Sequence, residues 1–352
     1  ESDAAAKGIE RGDFISTING FVLNVNNYLN LLYGDELSYT VGIADYNAVE
    51  GTFELTGETI TLDKVENFQE DPIHKNLVLD VDGQKVGYLM YNKFLNEFDD
   101  QLIQTFSDFA TEGITDLVLD LRYNGGGSVR TCVYLASMIT GQFTDEIFAQ
   151  QIWNSKLLAY FEALNSNTND SDDRELNNYF TSTISEGVTL PALNLNTVYI
   201  IATNRSASAS ELLINGLAPH INVVLIGNTT YGKNVGSITV YDYIDNEGTK
   251  NPNHTYAMQP IVLKIANSVG FADYANGLDP DIEVRERASN LGVLGSPTEP
   301  LLFAALNQIS GSGKYQVPQG EVLVPLTDPK FEATNGMYID LPQSSLKDFL
   351  KN

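Results

Sequence analysis

The apolar positions of this chain follow three rhythms. Phe98, Leu102, Phe106 and Phe109 recur every three or four residues, which predicts an amphipathic helix facing a core. Between the turn dipeptides Gly12-Asp13 and Asn19-Gly20 the residues alternate, as a half-buried strand does. Three further runs are apolar almost without a break: 117–122, 198–202 and 222–227. Each predicts a buried strand. The first ends in the glycine turn Asn124-Gly125-Gly126-Gly127-Ser128, and Val129, Val133 and Ala136 then open a helix. The second ends in the octet Asn204-Arg205-Ser206-Ala207-Ser208-Ala209-Ser210-Glu211, followed by a helix through Leu212–Ala218. Together with a strand at Lys85–Tyr91, this strand–helix–strand–turn–helix order predicts an α/β fold with a mostly parallel sheet and flanking helices.

Other segments fill in around that layer. Residues 4–20 predict a short helix, a turn and a strand, with a second helix at Asn27–Tyr33 and a strand at Leu37–Ile43. Alternation over 48–82 predicts connecting strands, and further strands are expected at 236–243 and 255–265. Residues 144–190 form an insertion whose polar stretch 165–173 is expected to be a mobile surface loop. Its Asp170, Asp172 and Asp173 lack the glycine and closing glutamate of a calcium loop. A helix over Leu301–Ile309 precedes a tail with a strand at Val322–Val324 and a short helix near Leu346.

Composition narrows the function classes. At 352 residues and 43% hydrophobic, the chain holds more than one core and suggests two domains. Its 46 acidic residues against 20 basic ones leave a net charge of −26, which a nucleic-acid backbone or an anionic membrane would repel. No apolar run is long enough to span a membrane. The single cysteine, Cys132, excludes an internal disulfide and is expected to be a small core residue. The chain opens on Glu1 without a leader-like run, as a processed or trimmed form does.

The octet is where chemistry is expected. A serine on a tight strand-to-helix corner has a helix N-terminus beside it to favour a developing anion. Serines in that position are usually N-caps, so the octet alone decides nothing. A serine nucleophile also needs a base. His74, His220 and His254 have neither metal-ligand spacing nor a telling position. Lys233, in Tyr231-Gly232-Lys233, follows the strand at 222–227 and returns towards the edge where the octet turn emerges. Neutral lysine is a competent base if burial lowers its pKa. The glycine turn at 125–127 leaves a third strand at the same edge, where its amides can cradle an oxyanion with the amide that follows the nucleophile.

Four segments in this order, Leu119–Gly127, Ser206–Glu211, Tyr231-Gly232-Lys233 and Gly277-Leu278-Asp279-Pro280-Asp281-Ile282, resemble the C-terminal (tail-specific) processing peptidases. These are S41 serine peptidases with a Ser-Lys catalytic pair, a ClpP/crotonase-like core and a PDZ domain. The resemblance spans about residues 1–310. Residues 1–45 look like the latter part of a PDZ domain, 46–310 like the peptidase domain with additional strands, and 311–352 form a C-terminal tail. The resemblance implies Ser208 as nucleophile, Lys233 as general base, and the amides of Ala209 and one glycine of the turn, Gly126 favoured, as oxyanion donors. Ser206 and Ser210 shape or cap the turn. Where bacterial members carry a glutamine four residues after the lysine, this chain has Ser237.

The function so implied is endopeptidase cleavage of polypeptides through an acyl-enzyme, with substrates selected by their C-terminal region. No metal, nucleotide or organic cofactor is called for. The expected location is a bacterial cell envelope, periplasmic or as a lipoprotein. A non-catalytic peptide-binding scaffold is the alternative, and an esterase a third reading.

Overall fold

The computed structural model describes residues 2–66, 68–167, 176–184, 187–245, 249–311, 323–324 and 326–340. They form two compact units, 1–71 with 284–328, and 72–283 with 329–352.

The first unit is built on an antiparallel sheet. Helix α1 (Asp3–Ala6) precedes strands β1 (Phe14–Ile18) and β2 (Phe21–Val22); helix α2 (Tyr28–Tyr33) is followed by β3 (Ser38–Asn47) and β4 (Thr52–Asp63). The strand order is β2-β1-β3-β4, every pairing antiparallel. Ile18, Val41, Ile43 and Leu62 form its core. The alternation between residues 12 and 20 thus becomes a strand, and the sheet continues past residue 45 to Asp63. Helix α7 (Pro300–Ser310) opens on a proline, whose missing N–H costs nothing at a first turn, and Glu299 caps Leu302 N–H at 2.9 Å.

The second unit carries the α/β layer. Its main sheet has the order β16-β11-β10-β7-β6-β5, from β5 (Ile73–Val81), β6 (Gln84–Tyr91), β7 (Asp116–Asp120), β10 (Thr197–Ala202), β11 (Asn222–Gly227) and β16 (Ile282–Glu283). All pairings are parallel except the edge hairpin β5–β6. Helices α3 (Asp99–Glu112), α4 (Val129–Thr140) and α6 (Ala209–Leu217) belong to this layer. On α3, Leu102, Thr105, Phe106 and Phe109 are the buried residues, so the predicted stripe is the core face. Cys132 is buried on α4.

The main sheet is thus the mostly parallel one expected, with one antiparallel edge, and the sheets taken together are mixed. A second sheet, order β17-β12-β15-β8-β9, comprises β8 (Ile147–Trp153), β9 (Asn177–Tyr179), β12 (Val235–Ile238), β15 (Ile261–Asn267) and β17 (Met337–Ile339). It is antiparallel apart from β12–β17. A small hairpin pairs β13 (Val240–Tyr241) with β14 (Ala257–Met258). The segment expected to be an insertion therefore supplies a sheet strand, β8, whose Phe148, Ala149 and Trp153 are buried, and then helix α5 (Ser155–Asn167). Most of the acidic loop, including its three aspartates, lies outside the described residues, as do Val322 and the helix near Leu346. Leu323 and Val324 have no regular structure; the described tail instead forms helix α8 (Pro329–Thr334) and β17. None of the described helices is long and apolar enough to cross a membrane.

Candidate active site

The three parallel strands β7, β10 and β11 end side by side, and the motif turns leave from their C-terminal ends. The β7 turn is shaped from beneath by a fully buried ion pair, Asp120 with Arg122 at 2.7 Å, to which Tyr88 Oη adds a hydrogen bond at 2.8 Å. Asn124 then fixes the glycines. Its Nδ2 donates to Tyr91 O at 2.8 Å and its Oδ1 accepts from Gly126 N–H at 2.9 Å. Gly126 has φ +101°, and a Cβ there would stand 2.8 Å from Ser208 Cβ and 2.9 Å from both Ala207 O and Ala209 N. Only glycine lets these two turns touch.

The octet is fastened to that turn by its outer serines. Ser206 Oγ donates to Leu121 O at 2.7 Å and accepts from Thr203 N–H, while Ser210 Oγ donates to Asn124 O at 2.9 Å. The middle serine differs. Ser208 sits at φ +64°, ψ −110°, a backbone conformation a non-glycine residue rarely holds, and its buried Oγ has no hydrogen-bond partner. Ala209 follows as the first residue of α6, so no partner within the helix is available to its N–H.

Glu211 closes the assembly. Fully buried, it accepts from Ser208 N–H at 2.8 Å and from Lys233 N–H at 2.8 Å on Oε2, and from Gly232 N–H at 2.6 Å and Thr230 Oγ1 at 2.5 Å on Oε1. One carboxylate thereby ties the backbone of the octet corner to the backbone of the lysine turn. Tyr231 N–H adds a bond to Ser206 O at 3.0 Å. The fourth motif buttresses this turn: Leu278 N–H donates to Thr230 Oγ1 at 2.7 Å, and Asp279 accepts from Thr229 at 2.7 Å.

Backbone is thus brought together, but the Lys233 side chain is engaged elsewhere. Its Nζ donates to Asn335 O at 2.5 Å and Asn335 Oδ1 at 3.1 Å. Burial pushes its pKa below the ordinary lysine value, while the Glu332 carboxylate pulls it up. Ser237 does not orient the lysine, because its hydroxyl donates to Met337 O at 3.2 Å. A cavity of about 420 Å³ adjoins Lys233, lined also by Lys93, Gly127 and Ser237. Burial, and then the charges of Lys233 and Lys330, lower the pKa of Lys93 to about 8.

His220 and His254 are engaged elsewhere. His220 bonds to Ile147 O and Ser268 Oγ and packs on Phe143 and Phe180; His254 meets Asp242. Sequence reasoning gave Glu211 and Asn335 no role. Glu211 had a signal, the serine-to-glutamate spacing of a capping box. Asn335, a hundred residues beyond the lysine, had none.

The model of peptidase family S41 matches residues 85–284, more than half of the chain. A carboxyl-terminal-processing protease of Picosynechococcus is 23% identical over 317 residues, covering 88% of this chain and 64% of the relative. A chloroplastic C-terminal processing peptidase of Tetradesmus obliquus is 25% identical over 308 residues, covering 85% and 60%. The chain therefore spans about three fifths of the length of these curated relatives. A solved Bacteroides fragilis structure assigned to the S41 proteases superposes with a TM-score of 0.70 at 29% identity, over 89% of this chain and 76% of that one.

Proposed function

The chain belongs to peptidase family S41, and from that premise we propose that it is a serine endopeptidase acting through an acyl-enzyme with Ser208 as nucleophile and Lys233 as base. The observation that carries this reading is the Ser208 corner. Of the three octet serines only this one has a hydroxyl without a partner, on a strained backbone that Glu211 ties to the lysine turn.

Ser208 Oγ attacks the scissile carbonyl carbon while Lys233, neutral, takes the hydroxyl proton and then delivers it to the leaving amine. Water repeats the cycle on the acyl-enzyme and restores the serine. The oxyanion is held by Ala209 N–H, reinforced by the start of α6, and by an amide of the 125–127 turn. Gly126 is the glycine against Ser208; its N–H leaves Asn124 Oδ1 to make that bond. Residues 1–45 are proposed to be PDZ-like and to take up the C-terminal region of polypeptide substrates. The proposed location is the cell envelope.

A second reading, a peptide-binding protein without turnover, draws on the Lys233 side chain being bound to Asn335 and not to Ser208. Incubating an unfolded polypeptide with wild type, Ser208→Ala and Lys233→Ala separates the two. Peptidase action gives cleavage by wild type only. Binding without cleavage by all three sinks the proposal, and equal cleavage by all three sinks the residue assignment.

A further inference from the structure

Residues 331–339 touch the glycine turn, the lysine turn and Arg205 of the octet. Strand β17 adds to β12 in parallel, pairing Gly236 with Met337, Ser237 with Tyr338 and Ile238 with Ile339. Tyr338 N–H donates to Gly127 O at 3.1 Å, which fastens the strand to the glycine turn. Two successive carbonyls are taken by lysines: Thr334 O by Lys93 Nζ, and Asn335 O by Lys233 Nζ. Phe331 and the Asn335 backbone lie against Gly125, at 3.2 and 3.3 Å from where a Cβ would be. Phe331 also meets the Tyr231 ring edge-on at 5.6 Å and lies under the Arg205 guanidinium at 5.6 Å.

This is how a bound peptide strand sits: main-chain pairing to a sheet edge, carbonyls met by cations, one aromatic anchor. Yet Lys233 Nζ, the proposed base, is bonded to Asn335 and not to Ser208 Oγ, which has no partner. We infer that residues 331–339 are a built-in strand that fills the place of an extended polypeptide and keeps Lys233 off Ser208 until a substrate strand displaces it. The inference rests on the peptidase reading above. Displacement is affordable in structural terms. Strand β17 is three residues long and α8 six; α8 has no buried residue, and Met337 and Asn335 are the buried residues of the segment, so few apolar contacts hold it. The anchoring of Lys233 N–H on Glu211 holds its main chain in place while its side chain swings.

Two measurements test this. The first compares wild type with Phe331→Ala/Tyr338→Pro, which removes the aromatic anchor and the N–H given to Gly127. Labelling of Ser208 by a fluorophosphonate and cleavage of β-casein are both expected to be at least about fivefold faster in the variant. The second uses the full chain with only Ser208→Ala, so that folding is not at risk. Saturating β-casein is expected to speed amide exchange at 336–339 by about tenfold or more, without speeding exchange in β10 and β11. A variant no faster than a Ser208-dependent wild type overturns the inference and leaves the peptidase reading intact. Exchange at 336–339 that is unchanged or slowed by casein overturns it too, and decides alone if the double variant fails to fold. If neither protein shows Ser208-dependent cleavage while casein still accelerates the exchange, the peptidase reading falls and strand displacement stands.

Discussion

The carboxylate of Glu211 accepts from two amides of the lysine turn, the amide of Ser208 and the hydroxyl of Thr230, with no water-facing surface. Glu211→Gln turns an amino group toward donors, so at least one of them is left buried and unpaired. A loss of about 3 kcal/mol is expected in urea unfolding, with activity down about 100-fold from the displaced corner. Retained activity at unchanged stability would contradict the role given to this residue. The pH profile belongs to the same scale. As the proposed base, Lys233 must be neutral to act, and burial lowers its pKa below 10.5, so the rate is expected to be lost as pH falls through that lowered value. Glu332 opposes the shift. Glu332→Gln is therefore expected to move the midpoint of the kcat/KM profile to lower pH, and a shift to higher pH would reverse the sign argued here.

At the scale of elements, two turns meet at Gly126, and the space between them admits no Cβ. Gly126→Ala is expected to cost about 100-fold or more in kcat, the scale of a misplaced reacting group, because the clash falls on Ser208, the proposed nucleophile, and on Ala209. Activity within threefold of wild type would mean the turns are not held together there. This junction was legible in outline: glycines after a buried strand and serines before a helix mark both turns. Their hydrogen bonds were not, because no pattern shows that Asn124 Oδ1 takes the Gly126 amide. Strand β17 was missed for a related reason. Three residues of pairing leave no periodicity, and the apolar Val322–Val324 nearby drew the strand assignment instead. The mixed sheets have the same origin, since β8 reads as part of an insertion until its partner β15 is known.

For the whole molecule, the net charge of −26 works against compactness through self-repulsion. Raising NaCl from 10 to 500 mM is expected to raise Tm by several degrees as that repulsion is screened. Asp99 acts in the same sense with pH. Burial raises its pKa from 3.8 to about 6, so between those values the folded state holds more protons than the unfolded one, and stability falls as pH rises through that window. Asp99→Asn is expected to flatten the fall between pH 4 and 6.5, read as the midpoint of urea unfolding; an unaltered slope would place the cause elsewhere. At this scale the sequence was most readable. Buried runs, turn residues and four ordered motifs point to the α/β layer because each is local. What escaped, Glu211 joining two turns and Asn335 holding Lys233, depends on pairings between distant residues.

The proposed chemistry depends on one hydroxyl, that of Ser208. Trapping with a fluorophosphonate at pH 9, followed by peptide mapping, reads it directly. A single adduct on Ser208 is predicted, absent in Ser208→Ala and formed at least about 100-fold more slowly in Lys233→Ala. An adduct on Ser206 or Ser210, or a Lys233→Ala protein labelled at the wild-type rate, would contradict it.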